Sequence, residues 1–202
     1  MKVALKRMLI AAVVVASIFI FPRALRNFIK PKPISTKGGE LLSIKIPCQH
    51  FSQVDLRWKS DELGNSSGTV GNYGCTLCCA AMSLNSLGVK CDPKSLNNYL
   101  TQNDGYTESG LLIWSSLEKF AGDGFEIKIR DHLSHAYLDK QLKQGTPMIA
   151  KVLWEGKIWH WVLLTGKEKD QYLIADPLSS NNNPHMPATM YSEGFFSVRH
   201  LK

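Results

Sequence analysis

The stretch Gly74-Cys75-Thr76-Leu77-Cys78-Cys79-Ala80-Ala81-Met82 places a cysteine where a glycine-rich loop turns into an apolar helix. Residues 75–87 are good helix formers and Gly88 follows as a stop, so we expect a helix here. A thiol in the first helical turn faces unpaired N–H groups and the positive end of the helix dipole, which favour the thiolate. The stretch therefore predicts a reactive thiol at Cys75, although an isolated free cysteine is more often a core residue.

A histidine lies at the start of a later apolar strand. His160 stands between Trp159 and Trp161, and Val, Leu and Leu follow at 162–164. The two-residue repeat of a strand places both tryptophans on one face and His160 on the other. Such a histidine is often a hydrogen-bonded core residue, but imidazole is also the group that activates a catalytic thiol.

A carboxylate follows at the end of the next predicted strand, where Asp176 precedes Pro177. Residues 167–171 are polar and predict a turn, so the strands on either side should form a hairpin. The outer ends of an antiparallel hairpin meet, which brings Asp176 beside His160. We expect the carboxylate to accept the Nδ1–H of His160 and to leave Nε2 facing Cys75.

The remaining pattern predicts an α+β domain, with helices first and an antiparallel sheet after them. The predicted helices cover residues 75–87, 93–100, 109–120 and 134–143, and the predicted strands cover 41–47, 125–129, 147–154, 158–165, 171–175 and 190–198. This order packs the nucleophile helix on a C-terminal sheet and leaves a cleft between Cys75 and the sheet edge that carries His160.

Together, these segments resemble the C39-like cysteine peptidases, which have a papain-like fold. The resemblance runs from about residue 46 to residue 177. It rests on short segments in a fixed order: Ile46-Pro47, Gln53-Val54-Asp55-Leu56-Arg57-Trp58, Gly74-Cys75-Thr76-Leu77, Gly145-Thr146-Pro147, His160-Trp161-Val162 and Tyr172-Leu173-Ile174-Ala175-Asp176-Pro177.

The resemblance implies a role for each matching residue. Cys75 resembles the nucleophile, His160 the general base and Asp176 the residue that orients it. Gln53 matches the position whose amide helps to form the oxyanion hole, with Gln49 as the alternative. The chain departs from the family pattern just after the nucleophile, where Thr76 and Leu77 stand in place of a common second glycine.

The charge of the chain is concentrated at its N-terminus. The formal net charge is +7, but residues 1–37 hold eight of the 24 basic residues and no acidic ones. The rest carries 16 basic against 17 acidic residues and is close to neutral. We therefore expect no nucleic-acid partner, because no basic groove is indicated.

Residues 1–37 predict a targeting segment followed by a basic linker. Positive residues precede an apolar run at 8–21, whose 14 residues suit a signal peptide better than a membrane-spanning helix. A short uncleaved membrane anchor is nearly as well supported, and a cytosolic amphipathic helix is the third possibility. We expect a linker over 30–39 and a catalytic domain over 38–202 that is secreted or anchored outside the cytoplasm.

The other cysteines do not predict a metal site. Cys75 and Cys78 have the spacing of a zinc or redox pair, but no second pair lies at ligand spacing. We expect no metal and no cofactor. Export would allow a disulfide at Cys48 or Cys91, and the connectivity stays open.

Three functions fit these residues. The first is a monomeric thiol hydrolase that cleaves peptide or related amide bonds in a peptide or protein substrate. The second is a cell-wall amidase or transpeptidase that uses the same triad. The third is a non-catalytic peptide-binding domain on a papain-like fold, since such folds also serve recognition.

Overall fold

The computed structural model describes residues 32–202. The elements in chain order are β1 (Lys37–Lys45), α1 (Val70–Tyr73), α2 (Cys75–Ser86), α3 (Pro93–Gln102), α4 (Ser115–Ala121), β2 (Ile127–Arg130), α5 (His135–Lys143), β3 (Met148–Trp154), β4 (Ile158–Ala175), β5 (Met186–Pro187) and β6 (Ser197–Leu201), with a 3₁₀ turn at Ala188–Met190. Most helices precede most strands, which confirms the predicted α+β class.

The strands form one antiparallel sheet in the order β1-β4-β3-β6-β2, with β5 paired to β4. Alternate residues of the central strands enter two hydrophobic cores. Ile149 and Leu163 pack with α2, α3 and α4, whereas Ala150, Val162 and the apolar residues of α5 form the second core. The sheet therefore separates the helix that carries Cys75 from helix α5.

Helix α2 is buried along most of its length. All eight residues from Leu77 to Leu84 are buried, and several are small. Small side chains let the helix approach β4 closely, which explains why an apolar but weakly amphipathic segment forms this helix. The predicted end of α2 is confirmed, because the helix ends at Ser86 and Gly88 takes φ of +90°.

Two predicted elements differ from the structure. The helix predicted over 109–120 begins only at Ser115, because Tyr106 and Leu112 form a β-bridge and Gly110, at φ +76°, turns the chain between them. The final strand predicted over 190–198 lies at 197–201 instead, because the chain turns at Gly194, which has φ of +92°. In both cases apolar residues pack from a loop rather than from a regular element.

The chain reverses direction within β4. The hydroxyl of Thr165 donates to the carbonyl oxygen of Leu173 at 3.4 Å, although the two are eight residues apart. A straight strand that rises about 3.3 Å per residue would hold them far from each other. The reversal lies at the exposed residues 168–170, where Lys169 has φ of +56°.

The prediction of a polar turn over 167–171 was wrong for Lys167. This residue is fully buried, and its ammonium donates to Oδ1 of Asp139 at 2.6 Å. The hydroxyl of Tyr172 donates to the same oxygen at 2.9 Å, and the N–H of Glu40 donates to Oδ2 at 2.8 Å. A charged residue in a polar run can be paired inside the fold, and periodicity alone does not distinguish that case from solvation.

The prediction of a linker over 30–39 was wrong for residues 34–39, which pair with other segments. Ile34 exchanges backbone hydrogen bonds with Phe195 at 2.9 and 2.8 Å, and the carbonyl of Thr36 accepts from the N–H of Tyr172. Gly38 and Gly39 have φ of +132° and +76° where β1 bulges against α5. Glycines that resemble a flexible linker in sequence here permit a bulge in an edge strand.

The predicted signal peptide or anchor at residues 8–21 lies outside the described residues. Within residues 32–202, no helix has the length and apolar character needed to cross a membrane.

Candidate active site

Cys75 is the first residue of α2, and a sharp junction with α1 sets its position. A Cβ at Gly74 would collide with the carbonyl oxygen of Val70, so the junction requires glycine. The Cys75 thiol is half-buried, and the His160 imidazole lies close enough to lower its pKa. The structure therefore brings together the first two residues that the sequence predicted.

His160 connects Cys75 to Asp176. The imidazole is 5% exposed, and its Nε2 lies 2.8 Å from Oδ1 of Asp176. The predicted roles of the ring nitrogens were wrong, because Nε2 rather than Nδ1 bonds the carboxylate and Nδ1 is left for Cys75. Sequence spacing places the three groups together but carries no information on how the ring is turned.

Asp176 is held by hydrogen bonds at both carboxylate oxygens. Oδ1 accepts from His160 and from the N–H of Leu178 at 2.9 Å, and Oδ2 accepts from the hydroxyl of Tyr191 at 2.6 Å. Burial raises the pKa of Asp176, but these bonds and the charge of His160 outweigh it, and the net pKa lies below the ordinary value. The carboxylate is therefore charged at neutral pH and fixes the imidazole.

The pKa values of Cys75 and His160 shift toward an ion pair. Burial raises the pKa of Cys75, but the hydrogen bond and charge of His160, with the N–H of Trp161 and the hydroxyl of Thr76, lower it below the ordinary value. Burial lowers the pKa of His160, but Asp176 and Cys75 raise it to about 9. Both shifts favour a thiolate beside an imidazolium over the neutral pair.

The peptide groups of Trp161 connect α2 to β4 around the thiol. The backbone of Trp161 helps to lower the pKa of Cys75, and its carbonyl accepts from the Sγ of Cys79 at 3.4 Å. Two cysteines one helical turn apart thus contact one strand residue next to His160. This arrangement fixes the distance between α2 and the imidazole.

Tyr191 is a site residue that the sequence did not reveal. It is fully buried, its hydroxyl donates to Asp176, and its ring stacks on His160 with centroids 6.2 Å apart. It lies in an irregular segment after the 3₁₀ turn, where no periodicity or motif marks it. Only its contact with Asp176 in three dimensions reveals its place.

Gln53 contacts α1, the short helix that precedes Cys75. The side chain is 3% exposed, its Nε2 donates to the carbonyl of Gly71 at 2.8 Å, and its Oε1 is buried without a partner. The backbone N–H of Gln53 donates to the carbonyl of Pro177, which connects the segment around Gln53 to the residue after Asp176. Gln49, the alternative, is exposed.

The sequence model of the Peptidase C39 family matches residues 67–197. The match covers more than half of the chain and includes Cys75, His160 and Asp176. The chain belongs to the Peptidase C39 family. The expected relationship and the papain-like α+β fold are therefore confirmed.

Two solved structures are similar to this C39 chain. One, described as a C39-like peptidase from Bacillus anthracis, is 18% identical, covers 80% of this chain and 98% of its own, and has a TM-score of 0.49. The other is the peptidase domain of Streptococcus ComA, a bifunctional ABC transporter involved in quorum sensing. It is 14% identical, covers 76% of this chain and 96% of its own, and has a TM-score of 0.48. No protein of curated function matches the chain.

Cys75 is chemically distinct from the other four cysteines of this C39 domain, all of which are also free. Burial raises the pKa of Cys48 to about 11 and that of Cys91 to about 12. Cys78 and Cys79 are fully buried, and burial raises the pKa of both thiols. Nucleophilic chemistry at neutral pH is therefore expected at Cys75.

A pocket opens beside Cys75. Thr76, the residue that follows Cys75 in α2, lines it. Most of the other lining residues are apolar or aromatic: Leu63, Tyr73, Leu77, Tyr106, Leu111 and Leu112. Tyr73 and Leu111 are largely exposed, so an apolar side chain of a bound peptide can reach the pocket from solvent.

Proposed function

We propose that the protein is a cysteine peptidase in which Cys75, His160 and Asp176 form the catalytic triad. The observation that supports this most strongly is the cluster in which the buried His160 imidazole lies beside Cys75 and hydrogen-bonds Asp176 at 2.8 Å. It lowers the pKa of the thiol and raises that of the imidazole to about 9. Membership of a peptidase family agrees with this chemistry.

The first half-reaction forms an acyl-enzyme. The Cys75 thiolate attacks the carbonyl carbon of the substrate, and the resulting oxyanion lies at the N-terminus of α2. The His160 imidazolium gives its proton to the departing amine, and a thioester joins the substrate acyl group to Cys75. Gln53 uses one of its two Nε2 hydrogens on Gly71, so the second can donate to the oxyanion.

The second half-reaction releases the acid. The neutral His160 accepts a proton from water as the water oxygen attacks the thioester carbon. The bond to Sγ breaks, the carboxylic acid leaves, and the thiolate and imidazolium are restored. Asp176 and Tyr191 keep the ring oriented through both steps without touching the substrate.

Peptide hydrolysis and trapping of the thioester test this proposal. We expect amine release from a mixed peptide library, and mass spectrometry should find the acyl group on Cys75. Cys75→Ala should abolish both signals, while the matched core variant Cys78→Ala keeps them. Hydrolysis that survives in Cys75→Ala would contradict the proposal.

The same assay separates the other two functions. Amine release from purified peptidoglycan but not from peptides would support a cell-wall amidase, and transfer of the acyl group to an added amine would support a transpeptidase. A Cys75 that forms no thioester with any substrate would support the peptide-binding domain.

We also propose that residues 1–37 direct the domain out of the cytoplasm, because a positive segment there precedes the apolar run at 8–21. Fusion of these residues to a reporter that is active only after export tests the proposal. Export of the reporter is expected, and retention in the cytoplasm would contradict it. The size of the exported product distinguishes a cleaved signal from an uncleaved anchor.

A further inference from the structure

Two cations and three tryptophans form a surface beside the candidate active site. We name it the basic-aromatic patch, and its members are Lys151, Arg199, Trp114, Trp159 and Trp161. Lys151, Trp161 and Arg199 come from the adjacent strands β3, β4 and β6. The proposed peptide chemistry does not use this patch.

The two cations lie against the aromatic faces. The ammonium of Lys151 is 4.1 Å from the ring centroid of Trp159 and 5.9 Å from that of Trp161. The guanidinium carbon of Arg199 is 5.7 Å from the centroid of Trp161 and 5.9 Å from that of Trp114. Contact with the same indole places the two positive charges close together.

The patch has a deficit of negative charge. Asp131 is the carboxylate that pairs with Arg199, at 3.0 Å, and its own side chain is 57% exposed. The Nε of Arg199 is buried without a hydrogen-bond partner. Among residues 32–202, no hydrogen-bond acceptor or carboxylate pairs with the ammonium of Lys151, and Trp159 beside it is 51% exposed.

The two charges also affect each other. Burial lowers the pKa of Lys151, and the nearby charge of Arg199 lowers it further. Two partly desolvated cations that share one exposed carboxylate are stabilised by an added anion. The indole faces around them suit the apolar part of the group that carries that anion.

The patch adjoins the nucleophile. The backbone carbonyl of Trp161 accepts from Cys79, one helical turn from Cys75, and Trp161 directly follows His160 in β4. The indole of the same residue contacts both cations. A group bound at the patch is therefore close to the strand segment that carries His160.

We infer that the basic-aromatic patch binds a carboxylate of the peptide substrate close to the scissile bond, with Lys151 as its principal partner. The carboxylate belongs either to an acidic side chain or to a free chain terminus. This inference rests on the proposed peptidase function and adds the substrate class. A polyanion such as nucleic acid fits poorly, because the chain beyond residue 37 is close to neutral.

Two alkylating reagents of different charge test the patch without a substrate. Iodoacetate carries a carboxylate and iodoacetamide is its neutral analogue, so the ratio of their rates at Cys75 reports the local field. In the full-length protein we expect Lys151→Gln to lower this ratio about threefold or more at low salt. Lys151→Arg should keep the ratio. Lys140→Gln, which removes an exposed charge from α5, should keep it as well.

The outcomes separate this inference from the proposed function. A ratio unchanged in Lys151→Gln overturns the inference even when Cys75 reacts rapidly. Slow labelling of Cys75 by both reagents in the unmodified protein argues against the proposed function instead. Labelling is read by mass spectrometry of the peptide that contains Cys75, so that the other thiols do not interfere.

Peptide kinetics then identify the source of the carboxylate. Three versions of one cleaved peptide are compared: neutral with an amidated terminus, with a glutamate next to the scissile bond, and with a free terminal carboxylate. We expect Lys151→Gln to raise KM severalfold for one carboxylate-bearing version and not for the neutral one. If Lys151→Gln changes KM equally for all three peptides, or for none of them, the inference is overturned.

Discussion

At the scale of single residues, the site depends on a thiol and an imidazole whose charges stabilise each other. The Cys75 thiol is half-buried and the His160 imidazole is buried, so charging either group alone costs free energy. Together, and with Asp176 behind the imidazole, they favour the ion pair. Sequence reasoning predicted this grouping, because the residue types and their order suit thiol catalysis.

The pH dependence of hydrolysis follows from these groups. Activity should rise with pH as Cys75 ionises, below the ordinary range of a thiol, and fall as His160 loses its proton near pH 9. Protonation of His160 also stabilises the folded protein, because folding raises its pKa from the ordinary 6.5 to about 9. This stabilisation is complete below pH 6.5 and is lost as the pH rises through about 9. Initial rates from pH 4 to 10 measure the profile. A single rise centred above pH 8 would disagree with the ion pair.

The hydroxyl of Tyr191 should contribute to the reaction rate independently of the packing of its ring. Tyr191→Phe keeps the stacking on His160 but leaves Oδ2 of Asp176 buried without its donor, so kcat should fall about tenfold with KM little changed. The matched control is Tyr137→Phe, which removes a 2.7 Å hydrogen bond to His200 in another part of the sheet. A tenfold loss in the control too would point to a general structural effect instead. An unchanged kcat in Tyr191→Phe would exclude a role of this hydroxyl in positioning Asp176 and His160.

At the scale of elements, β1 and α5 are joined to β4 by buried polar groups as well as by apolar packing. Asp139 of α5 accepts from Lys167, Tyr172 and the backbone of Glu40, and so links three elements. These contacts fix the position of β1 against α5 and β4. Neither the hairpin turn nor the linker predicted from sequence allowed for them, because pairing across long sequence separations leaves no local pattern.

Breaking this buried pair should be costly. Asp139→Asn leaves the Lys167 ammonium buried without its counterion, and we expect the free energy of unfolding to fall by about 3–5 kcal/mol. The double variant Asp139→Leu/Lys167→Met removes both charges and should lose much less. Urea unfolding monitored by tryptophan fluorescence measures the difference. Equal losses in the two variants would show that the charge pairing is not the cause.

At the scale of the whole molecule, the three residues of the proposed triad come from both halves of the chain, and their contact depends on the sheet. The helix order and α2 were predictable, because they follow from local propensity and motif order. Tyr191, the orientation of the His160 ring and the place of residues 33–39 were not. They depend on packing between segments that are far apart in sequence.

The folded domain should require the residues first assigned to a linker. A protein of residues 32–202 should fold, because Ile34, Thr36 and β1 all pair with other segments. Removal of residues 1–45 takes away β1, exposes the Lys167 pair and should lower the melting temperature by more than about 10 °C. Calorimetry on the two proteins measures this. Equal melting temperatures would show that β1 contributes nothing to stability.

The most direct test of the ion pair between Cys75 and His160 is the pH dependence of Cys75 alkylation by iodoacetamide, compared with His160→Ala. The structure predicts rapid labelling below pH 7 that becomes slow in His160→Ala, with no label at this position in Cys75→Ala. Labelling that rises only near the ordinary pKa of a thiol, and is the same without the imidazole, would contradict the account.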